Sequence, residues 1–86
     1  MTPEQQKEFD TCWDSLGTNA PKGTAIYNAW IAAWARGSVY GPPKTLEYST
    51  NKSDGTPIKA QEFNVRAEHN PATQETAWYG FSGRVG

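Results

Sequence analysis

The chain has too few metal-binding and redox-active side chains for most metal centres or disulfide scaffolds. Its 86 residues include one cysteine, Cys12, and one histidine, His69. A single thiol forms neither an internal disulfide nor a cysteine-based zinc cluster. Cys12 falls among the apolar residues of a helical pattern, so we expect a buried thiol that packs as a small hydrophobe. His69 falls in a predicted turn, where we expect an ordinary surface side chain. The sequence therefore predicts no metal site and no cofactor.

Catalytic and nucleotide-binding motifs are also absent. There is no phosphate-binding loop and no glycine-rich dinucleotide turn. Asp54 lacks the regularly spaced oxygen ligands of a calcium loop. Ser82 lies between glycines but lacks the following helix of a nucleophile elbow. Asp10 and Asp14 are one turn apart on a polar helix face, where we expect solvated carboxylates. We therefore predict no catalytic residue and a protein that is not an enzyme.

The chain lacks an excess of either charge. Eight Lys and Arg are set against nine Asp and Glu, and the net charge is -1. Nucleic-acid-binding domains usually carry a basic excess, because neutralising phosphates drives their affinity. A mimic of DNA would be strongly acidic. The charge balance therefore disfavours nucleic acid as the partner.

Long apolar stretches are missing as well. No run approaches the roughly 20 residues that a membrane-spanning helix needs. Residues 2–7 do not show the basic then apolar order of a secretory signal. We therefore expect a cytoplasmic protein without a membrane partner.

What the chain does contain is aromatic side chains at helical spacing. The large side chains of residues 24–37 recur as one apolar face, which predicts a helix. Thr24 suits the N-cap, and Gly37 suits the left-handed position after the last turn. The predicted apolar face consists of Ile26, Tyr27, Trp30, Ile31 and Trp34.

A second amphipathic helix is predicted over residues 2–16. Thr2 and Gln5 fit a capping box, and Pro3 fits the first helical position. The apolar stripe of this helix consists of Phe9, Cys12, Trp13 and Leu16. Two such helices on a short connection are expected to pack stripe against stripe, as a helical hairpin over residues 1–37.

Residues 44–86 predict an antiparallel sheet. Three strands, at 45–50, 57–68 and 74–85, are separated by turns at 51–56 and 69–73. Consecutive strands with short links form a meander. The prediction is one α+β domain, residues 1–86, in the order ααβββ, with the helical hairpin on one face of the sheet.

Alternation along the strands assigns the two faces. Ile58 and Ala60 are out of phase with Phe63, which a bulge near residues 61–62 would reconcile. The opposite phase for the last strand would place Trp78 inside and Tyr79 outside. The face toward the helices is predicted to carry Leu46, Tyr48, Phe63, Val65, Ala67, Ala77, Tyr79, Phe81 and Val85.

The other face of the sheet is predicted to hold the candidate site. Trp78 would lie there with Arg66 and Arg84 as neighbours and Asn64 nearby. Tryptophan and arginine are enriched at the residues that dominate protein–protein affinity. The structural alternative is a cation–π contact that merely covers the ring. We predict a non-enzymatic module that binds another protein through these four residues, or alternatively through the rim of the helix at residues 24–37.

Two other functions stay open. The same surface would suit a single-stranded nucleic-acid platform, with an aromatic ring for stacking and arginines for phosphate. Against that, Glu47 and Glu68 are predicted on the same face. An open sheet edge would allow a structural subunit that self-associates into homo-oligomers.

In general character the chain is similar to small accessory proteins of phages and mobile elements, many of which bind and inhibit a host protein. The likeness is one of size, aromatic content and missing catalytic motifs, and no motif carries it. It implies an inhibitor of a host protein.

Overall fold

Two helices precede a five-stranded sheet in the computed structural model, which describes residues 1–86. Neighbouring strands are antiparallel, and their order in the sheet is that of the chain. The predicted α+β class and the meander order are confirmed, but the prediction of three strands is wrong. The elements are α1 (Pro3–Asp14), α2 (Ala25–Ala35), β1 (Tyr48–Asn51), β2 (Pro57–Glu62), β3 (Arg66–Asn70), β4 (Glu75–Gly80) and β5 (Gly83–Arg84).

Both helices begin at the predicted capping residues. In α1, the Thr2 hydroxyl accepts a hydrogen bond from the Gln5 N–H (3.1 Å). The Gln5 side chain in turn accepts one from the Thr2 N–H (2.9 Å), which closes the capping box. In α2, the Thr24 hydroxyl accepts from the Tyr27 N–H (3.1 Å). These bonds satisfy backbone donors that have no partner inside the helix.

The end of α2 also matches its prediction. Gly37 has a φ of 87°, in the left-handed region. Its N–H donates to the Trp34 carbonyl (2.8 Å), and the Ser38 N–H donates to the Ala33 carbonyl (2.9 Å). This pair of bonds is a Schellman motif, which terminates the helix and satisfies its last carbonyl groups.

The apolar stripe of α1 is shorter than predicted. Phe9 and Trp13 are buried, and Cys12 is half-buried. The helix ends at Asp14, so Leu16 lies in the turn beyond it and is 54% exposed. The predicted place of Leu16 on the buried stripe is wrong, because that residue no longer follows the helical rotation.

Edge-to-face aromatic contacts join the two helices. Ring centroids are 4.8 Å apart for Phe9 and Trp34, 5.0 Å for Trp13 and Tyr27, and 5.2 Å for Trp13 and Trp30. Such pairs are stabilising beyond the area that they bury. The predicted pairing of the helices is therefore confirmed, and α2 is the helix that lies along β3 and β4.

Two indole groups fix the loops on either side of α2. Trp13 Nε1 donates to the Ala20 carbonyl (2.9 Å), and Trp30 Nε1 donates to the Gly41 carbonyl (2.8 Å). Leaving a buried indole N–H unpaired would cost free energy. The loops are thus held against the helices by the same rings that form the core.

A three-residue reversal divides the predicted second strand into β2 and β3. The Phe63 N–H donates to the Val65 carbonyl (2.7 Å), and the Asn64 N–H donates to the Tyr40 carbonyl (3.0 Å). Gly41 approaches so closely that a Cβ atom there would lie 2.6 Å from Asn64 Nδ2. Neither glycine nor proline marks this turn in the sequence, because the loop after α2 holds it.

The predicted third strand is also divided. Gly80 and Gly83 pair across a two-residue turn that consists of Phe81 and Ser82. Gly83 has a φ of 120°, which an L side chain would strain. We call Phe81 and Ser82 the β4–β5 tip.

The first and third predicted strands have the opposite phase from the prediction, so that side chains expected to face the helices face away from them. Ala67 lies directly across from Trp78, and both are buried on the helix side. Tyr79 therefore faces away from the helices, as does Tyr48, which pairs with Ala60 at the other end of the same face. The predictions that the two tyrosines are in the core and that Trp78 is exposed are wrong.

Other apolar side chains that were predicted inside also lie elsewhere. Leu46 is exposed in the irregular stretch before β1, and Phe81 and Val85 are exposed on the short β4–β5 hairpin. Val65 is half-buried against the core. Ala77 is half-buried on the face away from the helices.

The predicted bulge near residues 61–62 is absent, because β2 pairs regularly with β3 along its length. Ile58 and Ala60 are buried on the side of the sheet away from the helices. Phe63 and Ala67 are buried in the core on the helix side, and for these two residues the prediction is confirmed. The two sets are out of phase because they belong to opposite sides of the sheet.

Candidate partner-binding surface

The sheet surface away from the helices, which we call the outer face, is where strand alternation brings tyrosine and charged side chains together. Arg66 lies opposite Tyr79, and Tyr79 lies opposite Arg84. Two of the four predicted site residues, Arg66 and Arg84, are therefore on the predicted face. The outer face carries Tyr48, Glu62, Arg66, Glu68, Tyr79 and Arg84.

Trp78 does not belong to this surface. It is 2% exposed, and its ring stacks on Tyr40 at a centroid distance of 4.5 Å. It also meets Phe63 edge to face at 5.4 Å. An indole ring buries more apolar area than any other side chain of β4, so its burial fixes the phase of the strand. Tyr79 is the solvent-facing aromatic residue.

Asn64 lies off the sheet, in the turn between β2 and β3. Its backbone N–H is bonded to the Tyr40 carbonyl, and its side chain packs against Gly41. The structure thus shows Asn64 supporting the turn, and it brings Asn64 into no hydrogen bond with Arg66 or Arg84.

Arg66 occupies the centre of a charged cluster. Its Nε lies 3.4 Å from Glu68 Oε2 and 3.8 Å from Glu62 Oε1. The Nε atom is shielded from water yet has no hydrogen-bond partner. The side chain as a whole is 38% exposed, so part of it remains in contact with solvent. Two carboxylates against one guanidinium leave the cluster with a net negative charge.

Tyr48 joins this cluster through its hydroxyl group. The Tyr48 OH donates to Glu62 Oε1 at 2.6 Å. This hydrogen bond, and then partial burial, raise the pKa of Tyr48 above its ordinary value. The hydrogen bond ties the Tyr48 side chain to Glu62 of β2, the strand with which Tyr48 pairs at Ala60. The outer face is therefore polar at its centre and aromatic at both ends.

The β4–β5 tip extends this surface beyond the sheet. Phe81 is fully exposed, with a relative accessibility of 112%. Val85 and Val65 flank the base of the tip, since a Cβ atom on Gly80 would lie 3.1 and 3.8 Å from their Cγ1 atoms. Phe81 was not among the predicted site residues because its place in the strand pattern predicted a core position. The glycines on both sides of a two-residue segment were the signal for a hairpin tip.

Asp10 and Asp14 are not free carboxylates. Asp10 Oδ1 accepts from the Tyr27 OH (3.0 Å) and from Gln6 Nε2 (2.9 Å), which ties α1 to α2. Asp14 pairs with Lys22 at 2.9 Å. The expectation of a solvated carboxylate is wrong for Asp10, which the Tyr27 hydroxyl of α2 contacts, but it is confirmed for Asp14, whose side chain is 56% exposed.

Cys12 matches its expectation in part, since it packs against the core, whereas His69 does not. Cys12 is half-buried, and burial, followed by the nearby charge of Glu8, raises the pKa of its thiol. His69 belongs to β3 and not to a turn, and it is 6% exposed. The prediction of a surface histidine is wrong because β3 extends two residues further than predicted.

Comparisons of the chain with protein-family models, with curated proteins and with solved structures find no match. No helix of the structure combines the length and the apolar character needed to cross a membrane. No three His, Cys, Asp or Glu side chains are grouped as a metal site would require.

Proposed function

We propose that the protein is a non-enzymatic module that binds another protein through the β4–β5 tip and the adjoining outer face. The observation that carries this proposal is the complete exposure of Phe81 at the tip of a short hairpin. Burial of apolar surface contributes about 25 cal/mol per Å², so an exposed phenylalanine ring offers a large gain on docking. A protruding ring of this kind fits an apolar pocket on a partner.

The residues behind the tip suit the same role. Tyr79 and Arg84 form a cross-strand pair at the base of the hairpin. Arg84 is in no salt bridge, and its Nε donates to the Gly86 carbonyl (3.1 Å). Its other N–H groups remain available to a carboxylate or carbonyl group of the partner. Tyrosine and arginine are two of the residue types most enriched at binding hot spots.

Arg66 has a different part in this proposal. Because Glu62 and Glu68 flank it, Arg66 offers only part of its guanidinium to a partner. The same carboxylates would repel a phosphate backbone, so the arrangement favours protein over single-stranded nucleic acid. A nucleic-acid complex would weaken steeply as salt rises, and binding that is insensitive to salt would exclude it.

Self-association through a sheet edge is the second candidate function. β1 is an open edge strand of four residues, and β5, at the other edge, has two. Short edge strands limit pairing between copies of the chain, which favours the proposal that the partner is a different protein. Sedimentation of the protein at high concentration distinguishes self-association from binding to a different protein. Edge pairing predicts dimers or larger species, whereas the proposed module would sediment as a monomer.

The finer part of the proposal is that the module inhibits a host protein on behalf of a phage or mobile element, in the cytoplasm. It rests on the small size, the aromatic content and the missing catalytic motifs of the chain.

Site-directed photo-crosslinking tests the proposed surface. A benzoyl-phenylalanine placed at position 81 is expected to give a discrete covalent adduct in a lysate of the native source. The same group placed at Leu16, an exposed position at the end of α1, is the matched control.

Competition then identifies the residue that matters. Unlabelled wild-type protein should abolish the adduct, whereas an equal amount of Phe81→Ala should not. The proposal is wrong if Phe81→Ala competes as well as wild type, or if position 16 yields the same adduct.

A further inference from the structure

A separate concave surface lies on the helix side of the sheet. Ala25, Ala29 and Ala32 recur along one side of α2, and their small side chains leave space between this helix and strands β3 and β4. The result is an open groove of ≈ 510 Å³. Pockets that hold small organic molecules are of this size, about 300–1,000 Å³. The groove is lined by Thr76 and Trp78 of β4 but by neither residue of the β4–β5 tip.

A buried histidine lines this groove with one nitrogen unused. His69 is 6% exposed, and its Nδ1 lies 2.8 Å from Thr76 Oγ1. No hydrogen bond within the chain reaches its Nε2, and that atom is not among the buried atoms sealed from solvent. The bond to Thr76 fixes the ring, so the free nitrogen is held ready for a ligand.

The charge of the groove favours an anion. No Asp or Glu lines it, and Arg36 is its one permanently charged side chain. Arg36 is in no salt bridge. Two of the last carbonyl groups of α2, those of Ala33 and Trp34, accept hydrogen bonds from the Ser38 and Gly37 N–H groups, which lessens their opposition to an anion. Arg36 is therefore free to meet a carboxylate.

The lining of the groove sets the character of the ligand. Alanine methyl groups form one side, and the other lining residues include the polar side chains of Asn28, Gln74 and Thr76 beside Trp78, which is almost wholly buried. This mixed lining, with a guanidinium and an imidazole, fits a ligand that has a small apolar body and a charged end. We propose that this groove binds a small organic carboxylate with an apolar body, with Arg36 and His69 Nε2 contacting the anion.

Benzoate is the probe for this proposal, and NMR of the ¹⁵N-labelled protein is the measurement. Benzoate is expected to produce saturable shifts confined to residues that line the groove, including His69, Thr76 and the Trp78 indole. Acetate, which has the charge without the ring, and benzamide, which has the ring without the charge, are expected to bind at least about tenfold more weakly, since each lacks one of the two contributions.

Matched variants separate the site from general charge effects. Arg36→Ala should weaken benzoate about tenfold, the effect of one lost charge-assisted hydrogen bond. Lys7→Ala, which removes an exposed cation outside the groove, should leave the affinity unchanged. Ala32→Leu, at an exposed position of α2, should fill the groove and abolish the shifts while the spectrum stays dispersed.

Three results would overturn the assignment. The first is a set of chemical-shift changes that do not saturate with benzoate. The second is equal affinity for benzoate and benzamide. The third is an equal loss of benzoate affinity in Arg36→Ala and Lys7→Ala. Phe81→Ala should bind benzoate like wild type, because the groove and the β4–β5 tip are separate.

Discussion

Trp78 and Phe81 are three positions apart in the sequence and have opposite environments. The Trp78 ring is enclosed by Tyr40 and Phe63, whereas the Phe81 ring contacts solvent on all sides. Both are large aromatic residues, so composition alone does not tell them apart. The difference comes from the turn after Gly80, which carries the chain out of the sheet before Phe81.

Unfolding of two alanine variants measures this difference. Trp78→Ala should lower the free energy of unfolding by about 3–5 kcal/mol, because it leaves a cavity in the core. Phe81→Ala should change it by no more than about 0.5 kcal/mol, as is usual for exposed positions. Urea titration followed by circular dichroism gives both values. Equal losses would mean that the assignment of inside and outside on β4 is wrong.

The Tyr48–Glu62 hydrogen bond predicts a pH effect. The Glu62 carboxylate favours the neutral phenol, so Glu62→Gln should lower the pKa of Tyr48 toward its ordinary value. Because the pKa is raised in the folded state, the bond stabilises the fold below the unfolded pKa, about 10. That contribution is lost as pH rises through the folded pKa.

NMR titration of ¹³C-labelled tyrosine is the measurement, and Glu75→Gln, an exposed carboxylate of β4, is the control. An unchanged Tyr48 titration in Glu62→Gln would show that the hydrogen bond does not form.

The sequence predicted the site only in part, for reasons that differ from residue to residue. Arg66 and Arg84 were placed on the correct face, because β3 keeps the predicted phase and β5 returns Arg84 beside Tyr79. Trp78 was placed on the wrong face because Phe81 and Val85 were counted as part of one long strand. Because Phe81 and Val85 lie beyond β4, they do not determine which side chains of that strand face the helices. The burial of the Trp78 indole does.

The helices were predicted more accurately than the strands because their ends are set locally. Thr2, Gln5, Thr24 and Gly37 each act within one turn of the helix that they begin or end. The reversal between β2 and β3 depends instead on Tyr40, a residue more than 20 positions earlier in the chain. Sequence patterns over a short window contain no information on such a contact.

The Schellman motif of α2 gives a prediction for Gly37. Gly37→Ala should lower the free energy of unfolding by about 1 kcal/mol, because an L side chain is strained at a φ of 87°. No atom lies within 4 Å of the position that the new Cβ would take, so no clash adds to this cost.

A D-alanine at position 37, introduced by chemical synthesis, is the matched control. It adds the same methyl group with the opposite handedness, so it should be neutral or slightly stabilising. Thermal or urea unfolding compares the three proteins. If D- and L-alanine destabilise equally, conformational strain is not the cause.

The whole molecule leaves one sheet face without a covering layer. Two short helices lie on one side, and no helix of the structure lies on the other. Such a sheet usually presents polar residues to water. The outer face instead combines two tyrosines with a charged cluster, and it continues into an exposed phenylalanine. This combination is the reason to propose a partner-binding surface on that side.

The most direct test of this account is the affinity of the partner captured through position 81, measured by titration calorimetry. Phe81→Ala should weaken binding at least about tenfold, the size expected at a hot spot, while Leu16→Ala should leave the affinity within about twofold of wild type. An unchanged affinity for Phe81→Ala, or equal losses in the two variants, would contradict a docking surface at the β4–β5 tip.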